Sequence, residues 1–420
     1  MYTATDETLD QSILGTDNDD TLLGGVGNDT IVGNRGNDLK IGGEGNDLLI
    51  WNNGDGSDIM EGDAGYDTTQ VNGAVDNGDN FELRANGDRA EFERLNLGNF
   101  VLDVDNVEQF EINGGGGDDT LTVKDLTGTD VQKVFFNGGE GNDFLDASLS
   151  NVEIIANGEA GNDFLSGSSV PAIIDNLDGG IGDDTIIGNR GDDIKIGGEG
   201  NDRLIWNNGD GSDIMEGDAG YDVTEVNGAV DNGDDFELRA NGERTEFERL
   251  NLGNFVLDVD NVERFEINGG GGDDTLTIKD LTGTDVAEVV FTGDLGNDIL
   301  DASQTNVQVT ALGGDGNDSL TGGSGNDFLD GGDGNDTLIG GTGADTFVVG
   351  ANGINTIADF NFSEGDKIQI STFELGISSF SLEQISYDLN DQTLYYGDTG
   401  LATFSNSLEG YNAADYIELV

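Results

Sequence analysis

Every ninth residue, the stretch GGSGNDFLDGGDGNDTLIGG (Gly322–Gly341) returns to one pattern: three glycines, an aspartate, then a single apolar side chain. Neither a 3.6-residue helical stripe nor a sustained two-residue alternation has that period. A six-residue turn followed by a three-residue strand does. Eleven windows obey GGxGxD strictly, beginning at Gly24, Gly42, Gly114, Gly138, Gly179, Gly197, Gly269, Gly313, Gly322, Gly331 and Gly340. Looser versions sit between them: GNRGND at Gly33, GDAGYD at Gly62 and GEAGND at Gly158. Two positions after the aspartate comes an apolar residue, as at Ile31, Leu49, Leu145, Leu329 and Phe347. So many repeats in register argue against a flexible linker.

The distances between aspartates predict a coil. Asp29, Asp47 and Asp67 lie 18 and 20 residues apart, while Asp38 and Asp58 form a second series out of phase. Two nonads therefore make one coil with a turn on each edge. From Asp119 the steps become 24, 20, 21 and 18, through Asp143, Asp163, Asp184 and Asp202. There one edge keeps the glycine–aspartate turn and the other carries a plainer one, such as DLTGTD or DAS. The expected architecture is all-β, one continuous right-handed parallel β-solenoid with hairpin insertions and a C-terminal β cap.

The chain also contains a duplication. IGGEGND at Ile41, IWNNGDGSDIMEGDAGYD at Ile50 and NLGNFVLDVDNVE at Asn96 all return 155 residues later. This divides the sequence into a leader at 1–11 and two copies of one unit at 12–166 and 167–321. Four regular repeats at 313–348 and a tail at 349–420 follow. Residues 71–113 and 226–268 interrupt the repeats. FELRANGDRAEFER (Phe81–Arg94) alternates around Asn86-Gly87, the mark of a hairpin, expected to stand off the solenoid.

Stacked coils about 4.8 Å apart bring successive aspartates together, where two carboxylates repel by roughly 3 kcal/mol at an effective dielectric near 20. With 86 acidic against 16 basic residues, the chain cannot neutralise itself. A cation must. There is neither cysteine nor histidine, which removes zinc's preferred ligands. Calcium accepts six to eight oxygens in irregular geometry, whereas magnesium demands a tight octahedron. Glycines allow the positive φ that turns carbonyls inward. Calcium, as many ions, is the expected cofactor.

At these residues GGxGxDxUx resembles the nonapeptide of repeats-in-toxin (RTX), or hemolysin-type calcium-binding, proteins. The resemblance covers about 15–348, with insertions. It implies a calcium β-roll, each ion held between turns of neighbouring coils by aspartates and backbone carbonyls. The implied metal ligands are Asp29, Asp38, Asp47, Asp58, Asp67, Asp119, Asp143, Asp163, Asp184, Asp193, Asp202, Asp213, Asp222, Asp274, Asp298, Asp318, Asp327, Asp336 and Asp345. Asp20, in GTDNDD, is equally open to either role. The resemblance further implies export by type I secretion machinery reading an uncleaved C-terminal signal. GADTFVVGANGINTIADFNFSEGDKIQIS (Gly343–Ser371) and the final ADYIELV are similar to such regions.

Charge and composition bound the partners. A net charge of −70 disfavours nucleic acid and bare anionic membranes. No apolar run is long enough to span a bilayer. The start MYTATDETLDQSILG has neither a basic region nor an apolar core of a signal peptide. Without histidine there is no HExxH site and no histidine-based triad, and no GxSxG elbow occurs. No enzyme is expected. Trp51 and Trp206 suit sugar stacking, but packing around a two-residue bulge is the favoured reading. Arg84, Arg89 and Arg94, with Arg239, Arg244 and Arg249, suit an anionic glycan, with pairing to Glu82, Glu91 and Glu93 favoured. The expectation is a secreted, extracellular or cell-surface calcium-binding protein that folds on meeting calcium, with a structural or adhesive role. The alternative is an extracellular polysaccharide-binding or polysaccharide-modifying protein.

Overall fold

The computed structural model describes residues 2–3, 9–371, 375, 382–406, 408 and 416–419. Among them the architecture is almost wholly β, with one short 3-10 turn at Leu382–Gln384. Two compact units divide the chain: Met1–Ile205 with Gly209–Asp222, and Trp206–Asn208 with Val223–Val420. Each is a parallel β-solenoid.

In the first unit, successive coils lay strands on two sheets. On one, Ser12–Leu14, Thr30–Val32, Leu48–Asn52 and Thr68–Asn72 pair in parallel. On the other, Thr21–Val26, Leu39–Glu44 and Ile59–Ala64 do so. Alternate residues point inward, so each nonad's apolar position stacks on its counterpart one coil away. Leu121, Leu145, Leu165, Ile186 and Leu204 form one such buried column. The register steps of 24, 20, 21 and 18 residues along this column repeat the aspartate spacings. Outside, Asn52, Asn72, Asn113 and Asn137 form an amide ladder of side-chain hydrogen bonds between 2.7 and 2.9 Å.

The interruption behaves differently from a projecting hairpin. Asn80–Asn86 and Arg89–Arg94 do pair antiparallel about Asn86-Gly87, and Phe100–Asp105 adds a third antiparallel strand. But Phe100–Asp105 also pairs in parallel with Ile59–Ala64, and Asn80–Asn86 with Thr120–Val123. Both outer strands are thus stitched into the stack. The reason is the alternation itself: Phe81, Leu83, Phe92 and Leu102 all face inward and are fully buried. A detached hairpin would leave them in water.

The second unit has its own core columns: Leu276, Leu300, Leu320, Leu338 and Ile357 on one sheet, and Phe291, Ala311, Leu329, Phe347, Ile368 and Ile417 on the other. The tail loses the nonad yet keeps the parallel ladder through Lys367–Ile370 and Ile417–Leu419. A cap of Ile385–Asp388, Thr393–Tyr396 and Thr399–Phe404, paired antiparallel, covers the end. Of the leader, residues 1 and 4–8 lie outside the described residues, as do Ala414, Asp415 and Val420 of the export-signal segment.

Candidate metal centres

Each nonad turn begins with two glycines that do different work. In every strict turn but the one at Gly322 the second takes positive φ, such as 115° at Gly25 and 114° at Gly43. Where the motif is loose, Asn34, Asp63, Glu159 and Asn189 adopt φ of 63–72° instead, a region in which asparagine and aspartate are tolerated. The first glycine makes room. A Cβ at Gly24 would collide with both Asp29 Oδ2 and the Gly42 carbonyl oxygen of the next coil. The same pair of obstacles, a carboxylate and a neighbouring coil's carbonyl, meets a Cβ at Gly114, Gly158, Gly179, Gly293, Gly313 and Gly322.

All nineteen aspartates singled out in the sequence are buried, none more than 2% exposed. They are joined in rows. The backbone N–H of Asp29 donates to Asp47 Oδ1 at 2.7 Å, and that of Asp47 to Asp67 Oδ1 at 2.7 Å. A longer row runs from Asp119 through Asp143, Asp163, Asp184 and Asp202 to Asp222. The second series joins Asp38 to Asp58, and Asp193 to Asp213. In the second unit Asp274, Asp298, Asp318 and Asp336 form one row, with Asp327 and Asp345 in another.

The other carboxylate oxygen separates these residues into groups. Oδ2 of Asp29, Asp38, Asp47, Asp67, Asp119, Asp143, Asp163, Asp184, Asp193, Asp202, Asp274, Asp298 and Asp318 is buried without a hydrogen-bond partner. At Asp327 it accepts the Gly323 N–H at 2.7 Å. At Asp58 and Asp213 it lies 2.9 Å from a lysine ammonium. Asp20 is half-buried, and its Oδ2 accepts from both N and Oγ1 of Thr16 at 2.7 Å.

Burial and neighbouring acids raise many of the orphaned carboxyls. Desolvation first, then the adjoining aspartates, pushes Asp119, Asp184 and Asp274 up to about 7, and Asp193 to about 8. Asp38, Asp67, Asp143, Asp163, Asp202, Asp298 and Asp318 rise to about 6. Such groups need either a proton or a cation. Among the described residues no three acidic side chains converge on one point, so backbone carbonyls must supply much of any ligand set. Buried carboxylate oxygens beside inward carbonyls, in glycine cradles with no nitrogen or sulfur donor, suit calcium.

Four aspartates of the same kind escape the sequence pattern. Asp175 is fully buried, accepting from Ile154 N and Ser168 N and donating to Asp193 Oδ1. Asp79 and Asp234 donate to Asp119 and Asp274, and Asp366 accepts from Asp345 N. In the strict turns the aspartate follows the first glycine by five residues. Here it follows Gly73 and Gly228 by six and Gly167 by eight, and no glycine starts the turn at Asn361. Hydrogen-bond register reveals them; spacing alone does not.

The tryptophans and most arginines are used internally. Trp51 and Trp206 are fully buried, stacked at 3.8 Å on Phe100 and Phe255. Arg84 pairs with Glu82, Glu91 and Glu93, and Arg89 with Glu61, Asp103 and Asp105. Arg239 and Arg244 make the equivalent pairs with Glu237, Glu246, Glu248, Asp258 and Asp260.

A parallel solenoid with rows of buried carboxylates at its glycine turns defines a class of cation-binding repeat protein. The family profile "RTX calcium-binding nonapeptide repeat (4 copies)" matches residues 14–49, 54–68, 111–123, 135–152, 173–204, 266–277 and 312–347. RTX calcium-binding nonapeptide repeats are therefore detected along the chain, from its first coils to the last regular turn. Among solved structures, it is similar to the extracellular lipase LipA from Serratia marcescens at 18% identity and a TM-score of 0.23. That match covers 67% of this chain and 45% of the lipase, so the chain spans less than half of the enzyme's length. Comparison with curated proteins gives no match.

Proposed function

We propose that this RTX solenoid is exported unfolded by type I secretion machinery and folds outside the cell when calcium fills its turns. There it serves a structural or adhesive role at the cell surface or in an extracellular matrix. The observation that supports this reading is the row of buried, unpartnered carboxylate oxygens. Without a cation, successive carboxylates in a row repel and each loses its hydration. High acidity and sparse apolar content keep such a chain disordered, and millimolar calcium folds it by mass action. Calcium supplies positive charge at the turns; the chain orients carboxylates and carbonyls around it and excludes water.

In this reading the copies at 12–166 and 167–321 and the roll at 313–348 carry the ions, and 349–420 carries the cap and export signal. Among the described residues no helix is long and apolar enough to cross a membrane. The burial of both tryptophans and the acid pairing of Arg84 and Arg89 favour the structural role over glycan gripping. Circular dichroism of the full chain in chelator and after calcium addition tests the folding step. Full β signal in chelator refutes it. Binding to a panel of acidic and neutral polysaccharides, with assay for sugar release, tests the role. Calcium-dependent binding or product release replaces the structural reading with the polysaccharide one.

A further inference from the structure

One inward column is broken by charge. Lys40 stands between Leu22 and Met60 on successive strands and is fully buried. An ammonium in an apolar column is unfavourable unless paired. Its Nζ lies 2.9 Å from Asp58 Oδ2 and donates to the Ile50 carbonyl at 2.5 Å. Its stem also occupies the Gly33 cradle: a Cβ there would meet Lys40 Cε at 2.8 Å as well as Asp38 Oδ2. Lys195 repeats the arrangement between Leu177 and Met215, 2.9 Å from Asp213 Oδ2 and 2.6 Å from the Ile205 carbonyl.

The turn that receives the lysine is also the one that lost its first glycine. Five residues before Asp58 stands Asn53, and before Asp213 stands Asn208. Arg94, brought in by the antiparallel insertion and only 3% exposed, donates from Nη2 to Asn53 Oδ1 at 3.0 Å. Its Nε lies 2.9 Å from Asp79 Oδ1, close in charge though not aligned as a hydrogen bond. Its guanidinium sits 5.4–5.7 Å from the ring centres of Trp51, Phe81 and Phe100. Arg249 holds Asp234 and Asn208 in the same way.

We propose that Lys40, Arg94, Lys195 and Arg249 are built-in counter-ions that take the place of calcium at Asp58, Asp79, Asp213 and Asp234. Calcium then loads the remaining turns. Three observations agree: a side-chain cation reaches each of these carboxylates, the turns at Asp58 and Asp213 lack the first glycine, and both copies repeat the arrangement. The inference rests on the calcium reading of the orphaned turns and divides the aspartates into metal-held and side-chain-held sets.

Bound calcium counted by elemental mass spectrometry on the full chain, with calcium titrations of folding, separates the two sets. Asp47→Asn with Asp202→Asn should lose calcium and shift the folding midpoint to higher calcium. Asp58→Asn with Asp213→Asn should keep the wild-type count. If the unpaired lysines prevent folding, the neutral variant Lys40→Met, Asp58→Asn, Lys195→Met, Asp213→Asn removes both charges and should keep count and midpoint. Loss of calcium from that variant overturns the inference while leaving the calcium reading intact. A wild-type chain that binds no calcium overturns the calcium reading itself, and this inference with it.

Discussion

The backbone N–H of Asp29 donates to the carboxylate of Asp47, eighteen residues later, at 2.7 Å. One oxygen of each turn's aspartate is thereby spent on fixing the register of the coil before it. At Asp47 the other oxygen faces Gly42 of its own turn, buried and without a hydrogen-bond partner. In the proposed calcium reading, stacking and ion binding are carried by the same side chain.

That double use makes the first glycine indispensable. A methyl group at Gly42 would collide with Asp47 Oδ2 and with the Gly62 carbonyl. Gly42→Ala should destabilise the loaded protein by about 1–3 kcal/mol and shift the calcium midpoint upward. Gly87→Ala is the control: φ is +76° and nothing lies near the added atom. It should cost about 1–2 kcal/mol from backbone strain without moving the calcium midpoint. Thermal melts across a calcium series read both effects.

In the proposed calcium reading, proton and calcium compete for the same oxygens. Burial holds Asp119, Asp184 and Asp274 at about 7 and Asp193 at about 8 in the folded chain, against about 3.9 when unfolded. Protons therefore bind the folded state more tightly. Their stabilisation is fully present below about 4 and is lost as pH rises through about 6 to 8. In chelator, the β signal should be stronger at pH 5 than at pH 9, and calcium affinity should fall on acidification. Circular dichroism of chelated protein that shows less structure at pH 5 contradicts this.

Arg94 and Arg84 belong to the same insertion yet should respond very differently. Arg94→Met leaves Asp79 Oδ1 buried without its cation and should cost about 3–5 kcal/mol. The Arg84 side chain is 32% exposed among its three glutamates, so Arg84→Ala should cost less than about 1 kcal/mol. Urea unfolding of the calcium-loaded variants compares them. Equal losses would show that the depth of Arg94 carries no special weight.

Restoring the glycine at the deviant turn should not by itself create a calcium turn. Asn53→Gly with Asn208→Gly removes a partner of each buried arginine but leaves Lys40 and Lys195 on their aspartates. The bound-calcium count should stay at the wild-type value, with stability lowered by about 1 kcal/mol for each neutral partner lost. Elemental analysis and urea unfolding check the two parts separately.

Much of this protein is legible in the chain. A nine-residue period of glycine, aspartate and one apolar residue admits only a stack of turns and short strands, because no helix or long strand shares that period. The aspartate spacings then give coil lengths, since one hydrogen-bond ladder must pass through every coil. Calcium follows from an excess of carboxylates and the lack of nitrogen and sulfur donors. What spacing could not show depends on contacts between distant residues. Lys40 reads as an ordinary polar residue until the register places it opposite Leu22 and Met60, deep beside Asp58. Arg94 reads as one of three similar arginines, and only the pairing of both flanking strands, Asn80–Asn86 with Thr120–Val123 and Phe100–Asp105 with Ile59–Ala64, carries its strand into the stack. Asp79 and Asp175 fall out of phase in the chain and come back into phase in space. Local repetition set the turn and its ion, because glycine conformation and carboxylate charge act over a few residues. Which carboxylates meet a side-chain cation was decided by the stack, because desolvation and pairing exist only once separate coils are packed together.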